Sequence, residues 1–472
     1  MKKIIGIFLI LIISSVIVKS QNETILKKPV VDKRVELLCI VFRLADSWEY
    51  SSKMFPKYVE SIETHFGKYK NHELIEYIKN DLRKYDISYD AVMSMAIDLT
   101  EPPNMKPIVK FSKDIPDSRW GIERATKFLK LLNQFYVDAD CETFFSDNMR
   151  LYQMAEERFG EIYKSLDINW YQKFYGQKPK GEFRIVIGLG NGSFNYGPKI
   201  KLPDNQEIIY AIMGTSGVDS AGIPVYGEQD YFPTLLHEFN HSFVNHIVAK
   251  YENELKQSGE VIFSKREDIM KNQAYGNWLI MYDEAIVRAA VIKYMKDHRF
   301  DKSSINEELI EQEEKGFVWM DGLVKELERY DNNREQYLTF ESFMPELVKF
   351  FNSTASNIDI LIKNLEDKRP KIVSISPFDN NATDVDNTIK QILINFDRPL
   401  LGRGYSVGYG EKGKDVYPEI GEIYYSKDKK TVIMNVKLEP NREYQFVLLG
   451  YSFKSQNGYS IKKYIVNFKT KE

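Results

Sequence analysis

Only six histidines occur among the 472 residues of this chain, and two of them stand four apart with a glutamate directly after the first: His237-Glu238-Phe239-Asn240-His241. An α-helix turns about 100° per residue, so His237 and His241 fall on one face and can aim two imidazole nitrogens at one metal ion. Glu238, one position further round, is badly placed as a third ligand. It is well placed to take a proton from a water on that ion. In a chain with so few histidines the pattern arises by chance on the order of 0.01 times. The surroundings favour a helix: Leu235, Phe239 and Phe243 recur every four residues as an apolar back, and Asp230 with Pro233 reads as a helix start.

A catalytic zinc ion usually takes three protein ligands and keeps one position for water. His246, nine residues after His237, would face the opposite side of a continuing helix. The metzincin pattern brings in a third histidine by turning the chain at a glycine, and Val244 stands at that position here. Further along, residues 275–294 read as a largely buried helix with Asp283 and Glu284 at its centre. An unpaired charge in apolar surroundings is costly, and a metal would remove the cost. Ala285 and Ala289 would let this helix approach a neighbour closely. Glu284 is therefore the expected third ligand; Asp283 is the alternative, either as ligand or as a carboxylate that orients a ligand histidine. The competing explanation is an exposed Glu284–Arg288 pair at i, i+4 spacing, which needs no metal.

With an HExxH segment and a distant helical glutamate, at His237, Glu238, His241 and Glu284, the chain resembles the gluzincin metallopeptidases. Its HEFNHSF core is also similar to that of a little-characterised family of secreted bacterial proteins, typical of Bacteroidetes and regarded as candidate peptidases. The resemblance covers residues 30–360 and is specific only in the two helices. It implies a zincin-like catalytic domain, Zn2+ as cofactor, and a peptide or protein substrate. It also implies an oxyanion donor, a Tyr or His downstream of the glutamate helix, for which Tyr337 is the candidate. No Gly-Ala-Met-Glu-Asn exopeptidase signature precedes the HExxH segment, so an aminopeptidase is not expected. Two rival functions would use the same residues: a zinc amidase acting on cell-wall or glycan-linked amides, and a non-catalytic surface or binding protein with a structural or vestigial zinc site. Retention of Glu238 speaks against the second.

The elements that must position these residues follow a leader. Residues 1–20 carry Lys2 and Lys3, then an apolar run broken by Ser14 and Ser15, which reads as a secretory signal peptide rather than a membrane span. An exported protein, periplasmic or extracellular, is expected, with no stable membrane insertion after cleavage. Losing Lys2, Lys3 and Lys19 takes the net charge from −3 to −6, and no basic block marks a nucleic-acid partner. Cys39 and Cys141 allow one bridge or two buried thiols.

Residues 21–180 read as mainly helical, notably over 35–44, 72–84, 120–135 and 149–166, with His65 and His72 as ordinary surface or packing histidines. Residues 183–188 and 207–213 read as strands of a small sheet whose 209–214 segment would be an edge open to an extended substrate, the alternative being a purely structural hairpin. With the HExxH and Glu284 helices they make up a catalytic core over residues 181–366, in which 306–327 and 341–351 are also helical. Asp367-Lys-Arg-Pro370 marks a boundary. From there to residue 472 apolar residues alternate, as Ile392, Ile394 and Phe396, as Val432, Met434 and Val436, and as Tyr444, Phe446 and Leu448. This all-β module has the size of a sandwich, and its opening resembles bacterial Ig-like domains. The expected fold class is α+β: a mostly helical zincin-like catalytic domain with a small β-sheet, then an all-β Ig-like sandwich.

Overall fold

The computed structural model describes residues 25–177 and 181–472. The expected signal segment, residues 1–20, lies outside the described residues. About 51% of the chain is helical and about 16% is strand in small sheets, which makes the class α+β. No helix among the described residues is long and apolar enough to cross a membrane. The chain divides into two compact units: one runs to Lys173 and includes Gln177–Tyr226, and the other comprises Phe174–Gly176 and Gly227–Glu472. The two strands expected beside the HExxH helix thus group with the first unit.

In the first unit β1 (Ile25–Leu26) and β2 (Val30–Val31) precede α1 (Lys33–Leu44), α2 (Pro56–Phe66), α3 (Glu73–Asn80), α4 (Asp90–Ile97), α5 (Gly121–Asp138), α6 (Cys141–Asp147), α7 (Met149–Lys164) and most of α8 (Ile168–Tyr175). The strands β3 (Gly181–Gly188), β4 (Lys199–Lys201) and β5 (Glu207–Gly214) follow. Sheet order is β1-β3-β5-β4 with β2 also on β3, and every pairing except β4–β5 is parallel. The expected open edge at residues 209–214 does not exist. Lys199 pairs with Ile209, Tyr196 and Ile212 exchange backbone hydrogen bonds of 3.0 and 2.8 Å, and the Gly214 N–H donates to the Asn195 side chain at 2.9 Å. This covering segment has only a three-residue strand after Pro198, too short to show a period of two in the sequence.

After β3 the chain runs Gly188-Leu189-Gly190-Asn191-Gly192 against α1. A Cβ on Gly190 would lie 2.6 Å from the Cys39 Cβ, so the close approach requires glycine. Glu36 of α1 accepts the Leu189 N–H at 2.6 Å and the Tyr58 hydroxyl at 2.7 Å. Cys39 and Cys141 are both buried free thiols, so the possible bridge is not formed.

The second unit contains α9 (Glu228–Lys250), α10 (Glu252–Lys271), α11 (Trp278–Asp297), α12 (Lys302–Glu314), α13 (Met320–Asn332) and α14 (Phe340–Lys368). Helix α9 starts two residues ahead of Asp230 and carries Pro233 inside it; the missing N–H deprives only the Gln229 carbonyl of its helical partner. The helical stretch expected over 306–327 is two helices, parted at Gly316, whose φ of +111° suits no other residue. Helix α14 continues to Lys368 through Asn352-Ser-Thr-Ala-Ser-Asn357, a run of turn formers, and tertiary burial of Thr354 and Ile358 holds it helical.

Strands β6 (Ile372–Ser376), β7 (Gln391–Phe396), β8 (Val407–Gly408), β9 (Glu419–Tyr425), β10 (Thr431–Lys437), β11 (Glu443–Leu448) and β12 (Tyr464–Lys469) form two antiparallel sheets, β6-β7-β10-β9 and β12-β11-β8. The nine alternating residues named above all enter one core shared by both sheets. This region is tied to the helices through Glu313, whose buried carboxylate accepts from the Tyr459 hydroxyl at 2.6 Å and from Lys368 Nζ at 3.0 Å. Beside it Glu314 receives the Ser460 N–H at 2.8 Å.

Burial pushes the Glu36 carboxyl up to about 7 from an ordinary 4.5, against the hydrogen bonds that favour its charged form. The folded chain therefore keeps this proton at pH values where the unfolded chain has released it. The contribution to stability is complete below the unfolded value and is lost as pH rises through the folded one. Relative to wild type, Glu36→Gln should gain stability across that window by up to roughly 3 kcal/mol. Chemical denaturation of both proteins below, within and above the window measures the difference, and the constant cost of the changed hydrogen bonds cancels.

Candidate metal centre

The site is built by two helices that pack along each other, α9 and α11. The rotation of α9 is fixed from behind, where Leu235 and Phe239 are fully buried and Phe243 nearly so. The Tyr175 ring stacks on Phe243 at 4.7 Å, and its hydroxyl donates to Asn240 Oδ1 at 2.8 Å. Helix α11 begins at Trp278 rather than Tyr275, because the Asn277 side chain accepts the Leu279 and Ile280 N–H groups, both at 3.0 Å. Ala285 and Ala289 are wholly buried along it.

His237 and His241 lie with their Nε2 atoms 3.1 Å apart. From α11, Glu284 brings Oε2 to 3.5 Å from His237 Nε2 and Oε1 to 3.4 Å from His241 Nε2. Bonds of about 2.0–2.1 Å at tetrahedral angles set neighbouring donors about 3.3 Å apart, so these separations fit a small divalent ion. The tautomer also fits. His241 Nδ1 lies 3.1 Å from Asn245 Oδ1; the tautomer that donates from Nδ1 to this oxygen is the one that presents Nε2 as a ligand.

Burial alone would raise the Glu284 carboxyl, but the His237 ring, the Arg288 guanidinium, the His241 ring and the Tyr275 hydroxyl bring it down to about 2. His237 is itself pushed well below the usual imidazole range by burial, against the pull of Glu284. At neutral pH the ring is uncharged, and Arg288 is the group that keeps Glu284 ionised. Arg288 Nη2 and Nε donate to Glu284 Oε2 at 3.0 and 3.2 Å, and the Tyr275 hydroxyl donates to the same oxygen at 3.0 Å. The i, i+4 pair therefore exists, buried rather than exposed, and alongside the imidazoles. Burial pushes the Glu238 carboxyl up to about 7, with the Glu284 charge adding to the rise and His241 opposing it.

His237, His241 and Glu284 are thus brought together as the sequence indicates, all three ligand atoms within 4.8 Å of one another, and Glu238 stands beside them. Asp283 is not in the cluster; its Oδ1 is buried without a partner, and burial pushes its carboxyl up to about 7. His246 lies exposed on the continuing helix. Tyr337 is not brought to the three donors: its hydroxyl receives Gln336 Nε2 at 3.0 Å and its ring meets Phe343 edge-on at 4.8 Å. With thirty tyrosines in the chain, no local signal distinguished it. The tyrosine that does reach the site is Tyr275. Arg288 was already marked by its i, i+4 spacing from Glu284, and Asn245, four residues after His241, could have been found in the same way. Gln312, which accepts from Arg288 Nη1 at 2.7 Å, could not.

A family model described as a domain of unknown function (DUF4932) matches residues 29–350, more than half of the chain. The chain belongs to this family. The DUF4932 match includes α9 and α11 with their three donors and ends ahead of the β region. No curated protein matches the chain. Among solved structures it is similar to the S-layer protein rSbsC(31-844), at 13% identity over 50% of this chain and 33% of that one, with a TM-score of 0.17. It is similar to domains 1-6 of surface layer protein SbsC at 13% identity over 50% of this chain and 33% of that one, with a TM-score of 0.18. The N-terminal part of the bacterial S-layer protein SbsC gives 13% identity over 51% and 58%, with a TM-score of 0.17. The chain spans about a third of the length of the first two, and TM-scores this low do not bear on its fold.

A divalent transition-metal ion should stabilise the protein with one ion per chain, by about 2.7 kcal/mol at a free concentration of roughly 100 Kd. Thermal denaturation with and without the ion should show this shift in wild type and in His246→Ala, and lose it in His237→Ala, His241→Ala and Glu284→Ala.

Proposed function

We propose that this protein is an exported zinc metallohydrolase of the gluzincin type that cleaves peptide bonds. The observation that carries the reading is the approach of Glu284, from a separate helix, to 3.5 and 3.4 Å from two imidazole nitrogens spaced for one ion. Two imidazoles and one carboxylate suit zinc and would leave a position open. Zinc in this position would supply a Lewis acid for the scissile carbonyl and an acidified water.

The chain's own groups do the rest. Asn245 holds the His241 tautomer, and Arg288 keeps Glu284 ionised. Glu238 takes the proton of the attacking water and passes it to the leaving amine as the C–N bond breaks. The helices behind α9 keep these groups in register. Residues 1–20 are read as the export signal. The β region is read as an Ig-like sandwich that spaces or binds, since its core of apolar side chains offers no catalytic cluster.

The test is a comparison of the mature chain, from Gln21 onward, with Glu238→Gln on a quenched-fluorescence peptide library, with zinc measured in both. The variant should keep its zinc and lose activity by about 100-fold or more. Undiminished cleavage by the variant would remove Glu238 from the mechanism, and a wild-type chain without stoichiometric zinc would remove the proposal.

A further inference from the structure

The two oxygens of Glu284 are treated differently. Oε2 accepts three hydrogen bonds, from the Tyr275 hydroxyl at 3.0 Å and from Arg288 Nη2 and Nε at 3.0 and 3.2 Å. Each oxygen lies near one imidazole, Oε2 at 3.5 Å from His237 Nε2 and Oε1 at 3.4 Å from His241 Nε2, but no donor among the described residues hydrogen-bonds Oε1. Arg288 is in turn fixed from its far side. Its Nη1 donates to Gln312 Oε1 at 2.7 Å, the Gln312 amide donates to Glu308 at 2.6 Å, and its Nη2 also donates to the Tyr275 hydroxyl at 2.6 Å. The guanidinium sits over the Phe317 ring, 5.4 Å from its centroid, and the side chain is only 12% exposed. A planar guanidinium held on several sides cannot swing away from the oxygen it binds.

Resting on the metal reading above, we propose that Arg288 and Tyr275 reserve Oε2 and make Glu284 a one-oxygen ligand through Oε1. A carboxylate with both oxygens free can chelate an ion and fill a position that water or substrate needs. Here the second oxygen is already committed. Arg288 and Tyr275 are positioning residues, and Arg288 acts in the opposite sense to the carboxylates that usually support metal-bound histidines. Those add electron density to the ligand, and their loss weakens metal binding by roughly 10–100-fold. A guanidinium withdraws density and repels the cation, so its loss should free the chelating oxygen without weakening binding.

Cobalt(II) in place of zinc reports this directly, because its visible absorption is intense with four ligand atoms and falls as further ones are added. Wild-type mature chain loaded with cobalt should show the intense bands. Arg288→Gln should show them weakened several-fold with cobalt affinity equal or higher, and Arg288→Lys, whose ammonium still pairs with Oε2, should keep the wild-type spectrum. Circular dichroism establishes that each variant is folded; should Arg288→Gln not fold, Arg288→Met, which also removes the cation from Oε2, replaces it, with the same weakening expected. A folded variant with the wild-type spectrum, or one with the wild-type spectrum and reduced affinity, overturns the inference and leaves Arg288 a structural support. A wild-type chain that takes up no cobalt, indistinguishable from His237→Ala, overturns the metal reading itself.

Discussion

A carboxylate taken out of water must be given partners or lose its charge, and Glu284 sits only 8% exposed in the contact between α9 and α11. Its partners decide what the site can be. A neutral imidazole offers it little electrostatic help, and burial holds His237 neutral. The fixed positive charge of Arg288 does the stabilising and is unaffected by pH over any range in which the protein is folded.

The same requirement extends outward from the pair. Arg288 is held by Gln312 of α12 and by Tyr275 ahead of α11, so the orientation of the carboxylate depends on two elements that contribute no donor to the cluster. On the other side, the imidazoles keep their direction because Tyr175 grips Asn240 and Phe243 on the back of α9. Gly259 serves the geometry as well: a Cβ there would lie 2.4 Å from the Trp278 ring, so glycine lets α10 close against the first turn of α11.

What could be read from the sequence divides along the reach of the interactions involved. The pair His237 and His241 and the apolar back of α9 follow from helical period alone, and the β region from its period of two, because both are relations between near neighbours in one element. Glu284 was legible for another reason: an acid amid Ala, Ile and Val needs an explanation that a surface acid does not. Tyr275 and Gln312 were not legible, since nothing local distinguishes a residue whose role depends on a helix folding back on it. The covered edge of β5 failed for the same reason, as its partner strand has only three residues. Helix α10 was not legible for a different reason: nine of its twenty residues are charged, and two of the four positions at its buried helical spacing, Leu255, Ser258, Gly259 and Ile262, are not apolar.

The i, i+4 spacing of Glu284 and Arg288 shows how a true local signal can be read as an objection. On an exposed helix such a pair is worth a few tenths of a kcal/mol and accounts fully for both residues. Burial changes the accounting, because a carboxylate has two oxygens and each must be satisfied separately. Arg288 and Tyr275 satisfy Oε2 alone. A buried ion pair adds little net stability compared with an apolar pair of the same volume, so stability gives no reason to keep one between two helices whose buried residues are mostly apolar. The remaining oxygen, 3.4 Å from His241 Nε2 with no hydrogen-bond donor of its own among the described residues, is the feature that an ion-pair explanation leaves out and that the proposed metal would account for.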